Sequence, residues 1–135
     1  MLKHIPSAFF TLVMIAALSG CASLKLKAPP AVHDTNELMS YFDQKNLGYL
    51  YEGPTAAPHF SVPAQKFTVG NGAEMEVFEY TNSGAALLDV TWLDDFMNGN
   101  AAPHLYRGQD VVVIYYGNDP GVMNALSDVL GVPIA

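Results

Sequence analysis

The fold is decided by the stretch Val111-Val112-Val113-Ile114-Tyr115-Tyr116, in which six apolar residues follow one another. A run of this kind without polar alternation predicts a central strand that is covered on both faces. Asp110 and Asn118 flank the run as polar stops, and Leu105-Tyr106 with a turn at residues 107–110 predicts an antiparallel partner strand. The stretch therefore predicts the middle of a sheet.

A helix is predicted directly after this strand. Asn118 or Asp119 caps it, Pro120 takes a favoured first helical position, and Gly131 and Pro133 end it. Apolar residues at i, i+3, i+4, i+7 and i+8 predict one face that packs on the sheet. These residues are Val122, Ala125, Leu126, Val129 and Leu130.

Earlier in the chain, the sequence predicts a second hairpin followed by a helix. Residues 66–69 and 73–80 are strand-like around the turn Gly70-Asn71-Gly72. Glu74 and Glu76 alternate with apolar residues in the second strand, which predicts one solvent-exposed face. Asn82 or Ser83 caps the following helix, and its predicted core residues are Ala85, Ala86, Leu88 and Trp92.

The first regular element is predicted near Asp34. Asp34 or Thr35 caps a helix that ends before Gly48. Its predicted apolar face consists of Leu38, Met39, Tyr41 and Phe42. Tyr49-Leu50-Tyr51 then predicts a short strand that Gly53 and Pro54 end.

These elements predict an α+β fold, with an antiparallel sheet of about five strands and helices packed mainly on one face. Ala56-Ala57-Pro58-His59-Phe60 returns as Ala101-Ala102-Pro103-His104-Leu105, each time before strands, a turn and a helix. The repeat indicates either a duplicated hairpin-helix unit or the chance recurrence of a common turn.

Composition restricts the classes of function. The chain has 135 residues, which allows one small domain, and a formal net charge of -7. From Asp34 onward Lys45, Lys66 and Arg107 face 13 acids, so 3 − 13 gives a net charge of -10. A chain with this balance lacks the cationic footprint that binds nucleic acid. We expect a partner to be cationic or bridged by cations, and we expect the domain to be held off anionic lipid headgroups.

The N-terminus has the order of an export signal. Lys3 precedes an uncharged stretch, Ile5–Leu18, with 11 apolar residues out of 14, which is too short for a membrane-spanning helix. The following Leu18-Ser19-Gly20-Cys21 resembles the lipobox of bacterial lipoproteins at every position.

This resemblance implies that residues 1–20 are a signal peptide and that Cys21 carries diacylglycerol and, on its new amino terminus, a fatty acyl chain such as palmitate. It also implies membrane attachment through Cys21. Ala22 stands where Asp commonly favours retention at the inner membrane, so the resemblance implies the outer membrane, facing the periplasm. A thiol blocked by lipid is unavailable as a nucleophile or redox group.

Residues 21–33 are predicted to be a lipidated tether that leads to a single domain at residues 34–135. Pro29 and Pro30 favour an extended chain. Lys25 and Lys27 either bind anionic headgroups or simply keep the tether soluble.

Two Pro-His pairs are the sharpest candidates for chemistry. If the two halves of the chain are related by a pseudo-twofold axis, His59 and His104 would share one edge and, with a carboxylate, bind a divalent metal ion. Because no second His or Glu stands at helical spacing from either one, local packing of these side chains is the competing interpretation.

No catalytic constellation can be identified. The acids Glu74, Glu76, Glu79, Asp94 and Asp95 are scattered, and no serine lies in a nucleophile elbow. Because no phosphate-cradling or dinucleotide motif is present, no cofactor is predicted.

The tyrosines allow two interpretations. As core residues and cross-strand pairs they stabilise the sheet, whereas several exposed together would form a platform for carbohydrate or peptide. The residues concerned are Tyr49, Tyr51, Tyr80, Tyr106, Tyr115 and Tyr116.

The C-terminal third resembles a group of small exported bacterial proteins of unknown function. The resemblance rests on residues 103–108, Val111 to Gly117, Asp119 and Val129-Leu130-Gly131. It supports the hairpin-helix ending and implies no activity.

Together these features predict a lipid-anchored cell-envelope protein that acts as a non-catalytic accessory or interaction module. The alternative is a periplasmic-face binder of a metal ion or small ligand. An envelope hydrolase is the least favoured class, because no nucleophile and base can be paired.

Overall fold

A computed structural model describes residues 31–97 and 103–134 of the chain. Its elements follow in the order α1 (Thr35–Gln44), β1 (Tyr49–Thr55), β2 (Ala64–Val69), β3 (Ala73–Glu79), α2 (Ser83–Met97), β4 (His104–Arg107), β5 (Val111–Tyr115) and α3 (Pro120–Leu130).

The strands form one five-stranded sheet in the order β1-β2-β3-β5-β4, with every neighbouring pair antiparallel. This confirms the predicted α+β class. All residues of β5 are buried, because the strand lies between β3 and β4 and both faces of the sheet are covered there. Tyr116, the last residue of the apolar run, lies beyond the strand and is 48% exposed.

Two of the helices share one face of the sheet. α1 and α3 pack on this face over Phe67, Val77, Val113 and other buried strand residues. α2 packs on the opposite face over Phe78, Val112 and Leu105, together with the β1–β2 loop. The helices therefore lie mainly, but not entirely, on one face.

The order strand, strand, helix recurs, as β2-β3-α2 and β4-β5-α3. β3 and β5, the second strands of the two hairpins, pair antiparallel. A twofold axis that related the two hairpins would therefore stand perpendicular to the sheet. Such an axis would keep both helices on the same face, whereas α2 and α3 lie on opposite faces. The repeated order is therefore not accompanied by twofold symmetry.

Side chains cap both helices of the shared face. Asp34 Oδ1 accepts a hydrogen bond from Glu37 N at 2.8 Å, and Asp119 Oδ1 accepts one from Gly121 N at 2.8 Å. Each bond satisfies an otherwise unpaired amide of the first turn, as predicted. All four predicted core residues of α1 are buried, and in α3 only Val129 of the predicted set is partly exposed.

β1 differs from its prediction. The strand does not end at Tyr51 but continues to Thr55, with a register shift between Tyr51 and Gly53 that leaves Glu52 as an extra residue. Gly53 accommodates this bulge with a positive φ of 105°. A proline is tolerated at position 54 because β1 is an edge strand.

α2 also differs from its prediction at one core residue. Leu88 is 75% exposed, whereas Ala86, Val90 and Leu93 are buried. The helix is apolar around most of its circumference, so the sequence pattern did not identify the face that packs on the sheet. The predicted core residue Trp92 lies outside the described side chains.

Three buried tyrosines differ in how their hydroxyl groups are satisfied. Tyr41 donates to Asp128 Oδ2 at 3.0 Å and Tyr80 donates to Asp89 Oδ2 at 2.8 Å. Tyr106 is fully buried, yet its hydroxyl group makes no hydrogen bond to any residue that the structure describes. Burial raises the pKa of Tyr106, and the side chain of Ser127 opposes that shift.

The turn between β5 and α3 is tightly packed at Gly117. A Cβ atom at this position would lie 2.5 Å from the hydroxyl oxygen of Tyr115 and 2.6 Å from Cβ of Ala73. Only glycine therefore lets the chain pass at this point without moving its neighbours.

Candidate functional site

An open cleft of about 400 Å³ lies between α1 and the β1–β2 edge of the sheet. Side chains of α1 form one wall, and strands form the other wall and the floor. They are Thr35, Asn36 and Met39 from α1, Tyr49 and Tyr51 from β1, Gln65 and Phe67 from β2, and Glu79 from β3.

The floor of the cleft is aromatic. Phe67 is buried, while Tyr49 is 36% exposed and Tyr51 is 50% exposed. The rings of Tyr51 and Phe67 have centroids 5.1 Å apart, and Tyr49 meets Phe67 edge-on at 6.1 Å. Contacts of this kind hold the two exposed rings in place, so the cleft presents a preformed aromatic surface.

Hydrogen bonds orient the same two tyrosines. The Tyr51 hydroxyl donates to Gln65 Oε1, and the Tyr49 hydroxyl donates to Asp43 Oδ2 at 3.1 Å. Loss of hydration and the Asp43 carboxylate raise the pKa of Tyr49, so this phenol stays neutral and acts as a donor.

A carboxylate, that of the exposed Glu79, lines the cleft near the start of α1. Glu79 Oε2 accepts a hydrogen bond from Thr35 Oγ1 at 2.9 Å and a longer one from Thr35 N at 3.4 Å, which ties the start of α1 to β3. The cleft therefore combines aromatic faces with carboxylates at Glu79 and, beside Tyr49, at Asp43. This combination suits an apolar or cationic group.

The two cations nearest in sequence to these strands are engaged elsewhere. Lys66 Nζ lies 3.4 Å from Glu74 and 3.6 Å from Glu52, and these two carboxylates raise the pKa of Lys66. Lys45 Nζ lies 5.4 Å from the centre of the Tyr41 ring. The cleft carboxylates are therefore left without a lysine among the described residues.

The side of the sheet that carries Lys66 is the predicted wet face. Glu74 is exposed and Glu76 is half-buried, whereas Met75 and Val77 between them are buried. Tyr116 donates to Glu76 Oε1 at 2.8 Å and shares this face. The alternation along β3 is therefore confirmed.

A second hydrogen-bonded cluster fastens the β1–β2 loop to α2. Asp89 Oδ2 accepts bonds from Ser61 N at 2.9 Å, Ser61 Oγ at 2.8 Å and the Tyr80 hydroxyl at 2.8 Å. Burial by itself raises the pKa of Asp89, but these bonds outweigh it and lower that pKa. Burial and Asp89 both raise the pKa of Tyr80. Ser61 is thus held as a donor to Asp89.

The structure does not bring the two candidate histidines to one edge. His59 lies in the loop that joins β1 and β2 at one side of the sheet, and His104 begins β4 at the opposite edge. His104 Nε2 lies 3.0 Å from Asn118 Oδ1. Within residues 31–97 and 103–134, no group of three or more His, Cys, Asp or Glu side chains could hold a metal ion.

The predicted acidic candidates do not converge either. Glu74 and Glu76 share the wet face, whereas Glu79 faces α1 across the sheet. The side chains of Asp94 and Asp95 and the predicted lipid-attachment residue Cys21 lie outside the described residues.

The tyrosines divide between the two interpretations. Tyr80, Tyr106 and Tyr115 are core residues, whereas Tyr49, Tyr51 and Tyr116 are exposed. The common cleft of Tyr49 and Tyr51 is not among the features predicted from the sequence. Their i, i+2 spacing was the available signal, because alternate residues of a strand share a face.

The chain matches no family model, no curated protein and no solved structure. In the part of the chain that the structure describes, no helix is both long and apolar enough to cross a membrane.

Proposed function

We propose that this protein is a lipid-anchored module of the bacterial cell envelope that binds a partner in the cleft between α1 and β1. The observation that carries the proposal is the pair of exposed, hydrogen-bonded tyrosines, Tyr49 and Tyr51, above the buried ring of Phe67. Exposed aromatic rings held rigidly in a concave site are typical anchors of binding surfaces.

The anchor is the diacylglycerol that the lipobox implies on Cys21. The described chain begins at Ala31, which lines a shallow cleft of about 380 Å³ together with His33 and Arg107. The domain is thus attached at the end that carries Ala31. About ten residues between Cys21 and Ala31 span at most roughly 35 Å when extended. The module therefore stays close to the periplasmic side of the outer membrane.

Labelled palmitate tests the anchor. We expect the wild-type chain to incorporate label and to fractionate with the outer membrane, and we expect Cys21→Ser to lose both properties. Ser23→Ala is the matched control, since it changes a neighbouring small residue outside the lipobox. Label retained by Cys21→Ser would contradict the anchor.

Site-specific photo-crosslinking in intact envelopes tests the binding site. A photoreactive residue at Asn36, in the cleft wall, should give a discrete crosslinked product, whereas one at the exposed Asn124 of α3 should not. Tyr51→Ser should reduce the product, because it removes the more exposed of the two aromatic rings.

Tyr116→Ser is the matched control for Tyr51→Ser. Tyr116 is 48% exposed against 50% for Tyr51, and its hydroxyl also binds an acceptor side chain, but it lies on the other face of the sheet. Equal loss of product in both variants, or equal products from Asn36 and Asn124, would refute the cleft as the binding site.

A small-ligand binder is the second candidate function. The cleft volume of about 400 Å³ lies at the lower end of the range for ligand pockets. The two candidates differ in the crosslinking experiment, because a small ligand leaves the mobility of the protein on a denaturing gel almost unchanged. Zinc titration by calorimetry with His59→Ala and His104→Ala tests the metal hypothesis, and no heat at micromolar zinc would end it.

A further inference from the structure

The two edge strands of the sheet, β1 and β4, differ in the backbone hydrogen bonds on their outer sides. At the β4 edge, the segment after α3 returns to the strand, and Ile134 N donates to Leu105 O at 2.8 Å. At the β1 edge, no backbone hydrogen bond reaches the outer side of the strand from the residues that the structure describes. β1 is therefore the open edge of the sheet.

The register identifies which groups face outward on β1. Gly70 N donates to Gly48 O at 3.0 Å, so these two residues form a hydrogen-bonded pair. Pairs alternate along an antiparallel ladder, so Leu50 is bonded to β2, whereas Tyr49 and Tyr51 occupy the non-bonded positions. The N–H and C=O groups of both tyrosines consequently point away from β2, toward the open edge.

The bulge and the proline limit this edge to a short segment. Beyond Tyr51, Glu52 is the extra residue of the bulge, which interrupts regular spacing. Pro54 pairs with Gln65 at a position whose amide would face outward, and proline has no N–H to offer. The free edge is thus restricted to the residues whose side chains form the cleft.

The charged groups that line the cleft or bind its tyrosines are carboxylates. Glu79 lines the cleft and Asp43 binds Tyr49, while Lys66 is paired with Glu52 and Glu74. The charge of -10 from residue 34 onward opposes the approach of a second copy and favours a cationic partner. The aromatic rings of the floor also attract ammonium and guanidinium groups.

From this geometry we propose that the partner is an extended cationic polypeptide segment that adds to β1 as a further strand, with lysine or arginine side chains over Tyr49 and Tyr51. This inference rests on the proposed function, since it names the class of partner for the same cleft. Strand addition uses main-chain bonds for affinity and alternate side chains for specificity.

The probe is the blocked peptide Lys-Val-Lys-Val-Lys-Val, mixed with the full chain in detergent micelles. In the free protein we expect rapid amide hydrogen exchange at Tyr49 and Tyr51 and slow exchange at Leu50. Peptide binding should protect the two tyrosine amides and leave Leu50 unchanged. Protection that is absent at both tyrosines when peptide is bound would overturn strand addition.

N-methylation tests the main-chain bonds without changing charge or side chains. In an antiparallel addition, the peptide residues opposite Tyr49 and Tyr51 turn their N–H groups to β1 and their side chains to the cleft. Methylating the lysines should therefore weaken binding by about tenfold, whereas methylating the valines should have little effect. The reverse order supports a parallel addition, and equal affinity of the two isomers overturns the inference.

Further controls address charge and competing occupants. Glu-Val-Glu-Val-Glu-Val should not bind, and raising salt from 50 to 500 mM should weaken the lysine peptide. Tyr51→Ser should weaken binding, and Tyr116→Ser should not. Binding of chitin oligosaccharides in place of the peptide, or concentration-dependent dimerisation in sedimentation that Tyr51→Ser abolishes, would overturn the inference in favour of a saccharide or a second copy.

The two proposals fail separately. If the lysine peptide does not bind while the Asn36 crosslinker still captures a partner that depends on Tyr51, the cleft remains a binding site and the cationic strand is wrong. If the lysine peptide does not bind and the Asn36 crosslinker also captures no partner, the proposed function fails as well.

Discussion

Tyr106→Phe removes a buried hydroxyl group that has no hydrogen-bond partner within residues 31–97 and 103–134. In the folded wild type this hydroxyl group has lost its hydration and gained no hydrogen bond in return. The loss destabilises the folded state by about 1–3 kcal/mol. The variant relieves that cost but leaves a void smaller than a methyl group, worth up to about 1 kcal/mol. We therefore expect the free energy of unfolding to stay the same or to rise, by up to about 3 kcal/mol.

Tyr80→Phe is the comparison, because it makes the same chemical change where the hydroxyl is bonded. Its hydroxyl donates to the Asp89 carboxylate at 2.8 Å. Bonds to charged groups contribute about 1.5–3 kcal/mol, and Ser61 keeps Asp89 partly satisfied, so we expect a loss of about 1–2 kcal/mol. The two variants should therefore differ in their free energy of unfolding by at least about 1 kcal/mol.

Urea unfolding at pH 7, followed by circular dichroism, measures both variants. The unfolding midpoints should separate while the denaturant slope stays constant, since neither change alters the buried surface substantially. If Tyr106→Phe loses as much stability as Tyr80→Phe, the Tyr106 hydroxyl has a partner in solution, and the reasoning from its missing bond is refuted.

Three further outcomes are expected. Because the pKa of Asp89 is lower in the folded state than its ordinary value of 3.8, the ionised carboxylate stabilises the fold at pH values above 3.8. This stabilisation is lost as the pH falls through the folded-state pKa. Tyr80→Phe should therefore flatten the curve of stability against pH below about pH 4. An unchanged curve would count against the Asp89 bond. Gly117→Ala should lower the free energy of unfolding by about 1–3 kcal/mol, because the added Cβ would overlap two neighbouring atoms. Gly48→Ala is the control and should have little effect, because the space around Gly48 is open. Equal melting temperatures of the two variants would refute this packing. Leu88→Gln should change the urea midpoint only slightly, because this side chain is 75% exposed, and a large loss would place it in the core.

The elements that could be predicted are those whose pattern is complete within a few residues. In α3, the cap at Asp119, Pro120 and the spacing from Val122 to Leu130 all indicate the same helix, and it forms there. β5 was predicted as a buried strand because an apolar run of this length must be covered on both sides. The environment of these residues can therefore be predicted from the neighbouring sequence alone.

The elements that were predicted incorrectly depend on distant neighbours. Gly53 and Pro54 normally interrupt a strand, and they remain in β1 because it has a neighbour on one side only. Leu88 belongs to a helix that is apolar on most sides, so only the position of the sheet decides which side is buried.

The sequence by itself determined the α+β class, the central strand, the helix caps and the acidic character of the domain, because each follows from local periodicity or from a count of charges. Only the tertiary structure decided that Tyr49 and Tyr51 share an open cleft, that His59 and His104 lie at different sides of the sheet, and that β1 is the free edge. Those properties follow from the order in which strands pair and from the face on which each helix packs. Both are settled by burial summed over the whole chain, which no single stretch of residues specifies.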